Sequence, residues 1–329
     1  MGLTNFPNGI TSFGVPVIGG GGGLFTQGKS YFVKPNTGSD GNDGLSPERS
    51  LKTLARAHTL ATADQNDVVY LFAQSNTAAS TTDYQSATLT WSKDLVHLVG
   101  IGAPVAVSQR ARIAQLSTAT AVSPLVNITA DACIFSNLQF FHGVADATSL
   151  VNVQVTGTKN YFQNVHFAGI GHATMVAAGA ASLKIDGGAE NVFRECTIGL
   201  DTISRDETTN GELWLDGGAT RNKFIDCLVQ AYISNAGYDH VTVNDTTGID
   251  RWLWFKNCLF LSKSTNKAVN QTQVFAIPAS ISQGAIILQD TYAFSDGGAV
   301  DWDGSNRGII WTNNVAAAAT AAGGIMTNQ

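Results

Sequence analysis

Charge is scarce in this chain. Asp, Glu, Lys and Arg make up 13% of its 329 residues, about half the usual share. Few solvated helix faces are therefore on offer, and strands, turns and uncharged polar surface are expected instead. There is no basic run, and the net charge is −6. Sequence-independent nucleic-acid binding depends on clustered Lys and Arg, so it is excluded. No apolar run approaches the roughly 18 residues of a membrane span. The opening MGLTNFPNGITSFG lacks the basic and apolar regions of a secretion signal. Phe6 also breaks the myristoylation pattern, which needs Ser or Thr there. The expectation is a protein made and assembled in a cytosol. The four cysteines form no C-x-x-C pair and no His stands at ligand spacing from them, which argues against zinc. No cofactor is expected.

Glycine, by contrast, is abundant, and it creates a misleading match. GLFTQGKS, Gly23 to Ser30, fits the G-x-x-x-x-G-K-[ST] phosphate loop. That loop needs a helix opening at its Lys-Ser, so that free N–H groups and the helix dipole face the phosphates. Directly after Ser30 stands Tyr31-Phe32-Val33-Lys34-Pro35, a β-favouring run ended by a proline that would break the required helix. The stretch reads as a joint between a flexible arm and a first strand.

An internal repeat carries the fold. Five segments align: CIFSNLQF from Cys133, NYFQNVHF from Asn160, NVFRECTI from Asn191, NKFIDCLV from Asn222 and LWFKNCLF from Leu253. Their third residues, Phe135, Phe162, Phe193, Phe224 and Phe255, are 27, 31, 31 and 31 apart. Ahead of each lies a short alternating strand, as in Val126-Asn-Ile128 or Leu213-Trp-Leu215. Weaker echoes continue near Leu288 and Trp311. One such unit cannot bury its apolar face alone, whereas stacked units can. Period-2 alternation and Gly-rich turns exclude helical repeats, so the expectation is an all-β parallel helix of roughly seven to nine coils, about 4.8 Å apart. Cys196, Cys227 and Cys258 share one repeat position, 31 residues apart, while Cys133 sits elsewhere in its unit. They read as a column of small apolar side chains inside the coil. Two places after each Phe stand Asn137, Asn164, Glu195, Asp226 and Asn257, residue types that suit a sharp left-handed corner.

The entry to the coil is YFVKPNTGSDGNDGLSPERSLKTLARAHTLA, Tyr31 to Ala61. Ser46 and Pro47 read as the N-cap and first residue of a short capping helix, with Leu51, Leu54, Ala55 and Ala61 on one face and His58 interrupting it. Asp40, Asn42 and Asp43 read as a turn, since the downstream Glu of a calcium loop is missing. This stretch resembles the entry segment of pectate-lyase-like right-handed β-helix proteins, a group that includes polysaccharide enzymes, bacterial surface proteins and tailed-phage spikes. TNFPNGITSFGVPVIG is similar to the leader of tailed-phage virion proteins. Together these cover the first 62 residues. The resemblance implies a right-handed coil, a homotrimer and a place in a virion assembled in the host bacterial cytoplasm. It also implies an arm that docks on capsid or tail proteins.

The boundaries expected are a docking arm and hinge at 1–28, entry strand, turn and capping helix at 29–65, coils at 66–315 and an Ala/Gly-rich tail at 316–329. The arm's anchors are Phe6, Pro7, Phe13, Val15, Pro16, Val17 and Ile18. The function expected is structural and non-enzymatic: a capsid decoration or head spike, without nucleic-acid or membrane partners. The alternative is a small tailspike that binds or depolymerises host surface glycan. Its carboxylate candidates are Glu195 and Asp226, one coil apart and so roughly at the 5 Å separation of a retaining glycosidase. Asp206 and Glu207 in the loop GLDTISRDETTNGEL are further candidates, with Asp201, Arg205 and Glu212 beside them. Asp186 and Asp216 open DGG turns, and Trp214, Trp252 and Trp254 offer rings on which sugars stack. Each has a structural account as turn, loop or strand residue.

Overall fold

Each rung of the coil is made by one copy of the repeat, because period-2 alternation turns every second side chain inward. The computed structural model describes residues 11–12, 15–16, 28–77, 82–279, 281, 284–298, 300–303 and 310–312. It is a parallel β-solenoid of about seven turns with one short α-helix. A first face stacks the phenylalanine strands, from Ser30–Val33 and Val68–Phe72 through Val192–Arg194 and Asn222–Ile225 to Ile286–Gln289. A second face comes after each corner, as in Thr197–Ile198, Leu228–Ile233 and Leu259–Ser264. The third is a seven-stranded sheet running from Leu89–Trp91 to Phe275–Ala276. It contains all five alternating strands read from the repeat.

The five phenylalanines are in register and fully buried. Successive ring centroids lie 4.9, 4.6, 4.7 and 4.6 Å apart, with planes within 10° of parallel. The rung spacing sets that separation, so one residue type per column produces the stack. Burial is worth about 1.5–3 kcal/mol per ring, and stacking adds about 0.5–1.5 kcal/mol per pair. The cysteine column is equally buried, all four thiols are free, and Cys196, Cys227 and Cys258 donate to carbonyls of the rung below. Burial pushes the Cys133 thiol up to about 12 and Cys227 well above its ordinary value, so neither is a ready nucleophile.

A second ladder runs beside the phenylalanines. Asn160, Asn191 and Asn222, two residues before their Phe, are fully buried at the turn between the third and first faces. Asn191 Oδ1 accepts from Asn160 N at 2.9 Å, and its Nδ2 donates to Gly157 O at 3.1 Å. Each amide thereby satisfies backbone groups that the turn leaves unpaired.

The entry segment departs from expectation in three places. Ser46 caps only a 3-10 turn, Pro47–Arg49, and the α-helix is Leu54–Leu60 with Thr53 as its N-cap. The break is imposed by Leu51, which is drawn into the sheet against Val33 and exchanges hydrogen bonds with Phe32 and Lys34. Ala55 points outward, and the buried face is Leu54, Ala57 and His58. His58 packs its ring 4.7 Å from that of Trp91. Asp40 accepts from Lys52 N, Thr53 N and Thr53 Oγ1, so it serves the turn and the helix start. Ser30–Val33 is a strand already paired with Val68–Phe72, so the first rung begins in the entry segment and no helix opens at Lys29. In the arm, Thr11–Ser12 pairs antiparallel with Val15–Pro16. The anchors Phe6, Pro7, Phe13, Val17 and Ile18 and the tail 316–329 lie outside the described residues.

Candidate functional site

The corner between the first and second faces turns on a single left-handed residue in each of six successive rungs. Asn137, Asn164, Glu195, Asp226, Asn257 and Asp290 all have φ between +50° and +58°, where Asn and Asp are tolerated and most residues are strained. Asn164 Nδ2 donates to Asn137 Oδ1 at 2.9 Å, and Asn257 Nδ2 donates to Asp226 Oδ1 at 2.6 Å. The corner therefore carries a ladder of side-chain amides, and the two acids occupy its slots. The Arg194 guanidinium lies beside both, 3.6 Å from Glu195 and 3.9 Å from Asp226, with all three side chains a third to a half exposed.

Residues 102–110, between two early rungs, fold forward over this corner. Thr197 Oγ1 donates to Ala106 O at 2.7 Å, Gln109 Nε2 donates to Asn164 O at 3.0 Å, and Ser108 N donates to His166 Nδ1 at 3.1 Å. The result is a groove of about 470 Å³. Its roof is Pro104, Val105 and Ala106; its floor includes Asn137, Gln163, Asn164, Glu195 and Asp226. His166 is nine-tenths buried or more, and burial lowers it to about 4. With Nδ1 accepting from Ser108, its proton sits on Nε2, 3.0 Å from Gly199 O. The apolar roof and largely polar floor bound an open cleft.

With this geometry in place, the likeness to solved structures is clear. A rhamnogalacturonan lyase aligns with TM-score 0.55 and 15% identity, over 87% of this chain and 73% of that one. The pectate lyase Pel9A gives 0.56 and 14%, over 84% and 68%. A pectin methylesterase from Aspergillus niger gives 0.52 and 14%, over 88% and 91%. The fold is pectate-lyase-like. At such identities the likeness is one of fold alone. A Geobacillus virus E2 protein, ORF18, overlaps at TM-score 0.36 and 11% identity, over 84% and 58% of the two chains, and that likeness carries no argument. No protein-family model and no curated protein matches the sequence.

The other candidates lie elsewhere on this pectate-lyase-like coil. Asp206 is exposed, and Glu207 accepts from Thr209 Oγ1 at 2.7 Å; neither lines the roofed groove. Arg205 and Glu212, read as part of a solvated loop, are instead fully buried and joined at 2.9 Å. Ser182 Oγ and Tyr238 Oη also donate to Glu212, and Arg205 Nη1 donates to Ile170 O and Ile203 O. Burial alone would lower Arg205, but Glu212 and Tyr238 raise it. No substrate reaches this pair. The long return loop closes over its own rung and shields both charges from water. Asp186 and Asp216 share Lys184, at 3.5 and 3.0 Å. Trp252 and Trp254 are half-buried on the outer surface of the first face. Among the described residues, no cluster of three or more His, Cys, Asp or Glu could hold a metal ion, and no helix is long and apolar enough to cross a membrane.

Proposed function

We propose that the chain is a non-enzymatic structural protein of a tailed-phage particle, a capsid decoration or head spike held through residues 1–28. The observation that carries this reading is the corner ladder. Glu195 and Asp226 stand at left-handed positions that six successive rungs share, each engaged by Arg194 or Asn257. Their presence is accounted for by the coil. The first rung starts at Ser30, directly after the arm, so a particle gripping the arm would present a rigid rod outward. The trimer and the virion docking belong to the same proposal and rest on the sequence resemblance. Deletion of residues 1–23 should leave a folded protein, with an unchanged unfolding midpoint, that no longer joins particles. Continued incorporation of the truncated chain would overturn the reading.

A second reading has its own support. The roofed groove sets Glu195 and Asp226 in one cleft, and the structural neighbours include two lyases and an esterase. A small tailspike that binds or depolymerises surface glycan would use that cleft. Incubation with host capsule should then release reducing ends or unsaturated sugars, and Glu195→Gln or Asp226→Asn should abolish the release. If the wild-type protein releases nothing and the two variants lose only stability, the structural reading stands.

A further inference from the structure

The outer surface of the first face carries one uninterrupted column, Ile134, Tyr161, Val192, Lys223, Trp254 and Ile287, one residue per rung and each half-buried. At its far end Trp252 and Trp254 meet Lys223, Ile287 and Gln289 around a shallow cleft of about 360 Å³, at the small end of the range for ligand sites. The Lys223 ammonium lies 5.8 and 5.4 Å from the two indole centroids, and Lys256 lies 5.8 Å from that of Trp254.

The charges around this cleft are unbalanced in one direction. Lys223 and Lys256 form no ion pair among the described residues, and no acid lines the cleft. In a chain of net charge −6, two ammonium groups held over two indoles are a local positive site with flat apolar faces. The Trp254 Nε1–H is buried and has no acceptor, an unmet donor of the kind that buried groups seldom keep.

We infer that the Trp252–Trp254–Lys223 platform binds a strand of acidic polysaccharide. The C–H faces of pyranose rings would lie on the indoles, and carboxylates would meet Lys223 and Lys256. The cleft is open along the column, which suits a polymer rather than an enclosed small molecule. Rungs recur about every 4.8 Å, close to the length of one sugar residue in an extended chain. A single-stranded nucleic acid would need a basic groove tracking its backbone, and two cations on an acidic body do not make one. Glycan binding here goes beyond the proposed structural role. It is read in solution, whereas particle incorporation decides that role, so either can fail without the other.

The test is calorimetric titration of the full chain with hexamers of alginate, hyaluronan and polysialic acid, against cellohexaose and a dT oligomer. At least one acidic hexamer should bind, more weakly as salt rises. Its affinity should fall about tenfold or more in Trp254→Ala and in the Lys223→Gln/Lys256→Gln double variant, and stay unchanged in Lys52→Gln, which removes an exposed charge from the entry turn. Unfolding midpoints show which variants remain folded; the double variant replaces only half-buried lysines and leaves the core intact. The inference is overturned if no acidic hexamer binds, or if cellohexaose or dT binds as tightly. It is equally overturned if folded platform variants bind like the wild type, or if Trp254→Ala instead abolishes self-association.

Discussion

Arg205 and Glu212 show how little residue type says about environment in a coil. Both sit in a polar stretch rich in Thr and Asp, which reads as solvated, yet both are fully buried. A buried pair is costly to form and costlier to break, because the surviving charge has no water. Glu212→Leu should therefore destabilise the protein by about 3–5 kcal/mol, and adding Arg205→Met should restore much of that loss. Urea unfolding of the three proteins measures it; an equal or larger loss in the double variant would show that the pair is not what matters. The buried asparagines are more open to reading. Asn160, Asn191 and Asn222 recur at the 31-residue spacing as plainly as the phenylalanines do, and an amide recurring beside an apolar column has few roles other than a ladder.

The roof over the groove is an element that nothing in its own composition announces. Residues 102–110 form no strand, and their hold on the corner runs through His166, Thr197 and Asn164. His166→Leu removes the acceptor of the Ser108 N–H. Amide exchange across 104–108 should then quicken by about tenfold or more, while the Glu195 amide, bonded to Ile225 O, keeps its protection. Hydrogen exchange read by mass spectrometry distinguishes the two segments; equal quickening in both would mean that His166 supports the rung and not the roof. The capping helix shows the converse. Its cap signal at Ser46 is genuine, but the sheet claims Leu51 and delays the helix to Leu54. Local propensity is overridden wherever a rung needs its next strand.

For the molecule as a whole, buried titratable groups set the pH dependence of stability. Burial lowers His58, His142, His166 and His240 to about 4 from the ordinary 6.5. Between those values the unfolded chain binds four more protons than the folded one. This contribution is complete above 6.5 and is lost as pH falls toward 4. Burial raises Asp83 and Asp239 to about 7 from 3.8. There the folded chain holds two more protons, so this contribution is complete below 3.8 and is lost as pH rises toward 7. Four against two leaves stability rising with pH up to about 6.5, then falling slightly toward 7. Thermal midpoints between pH 4 and 8 should trace that maximum, and Asp83→Asn should lessen the decline above it. A midpoint that keeps climbing through pH 8, or an Asp83→Asn profile identical to the wild type, would contradict this account.

The repeat was enough to specify the coil, its phenylalanine and cysteine columns and its left-handed corners. Stacked rungs bring equivalent positions together, so a 31-residue period is a contact map in one dimension. The departures from the repeat could not be read in that way. The roof reaches residues 55 and 91 positions away, and no periodicity encodes which rung an insertion will cover. The platform joins Lys223 to Trp254 across rungs and places both on the outer face. Whether the return loop of Arg205 opened to water or closed over its own rung depended on a packing between loops that only the folded chain supplies.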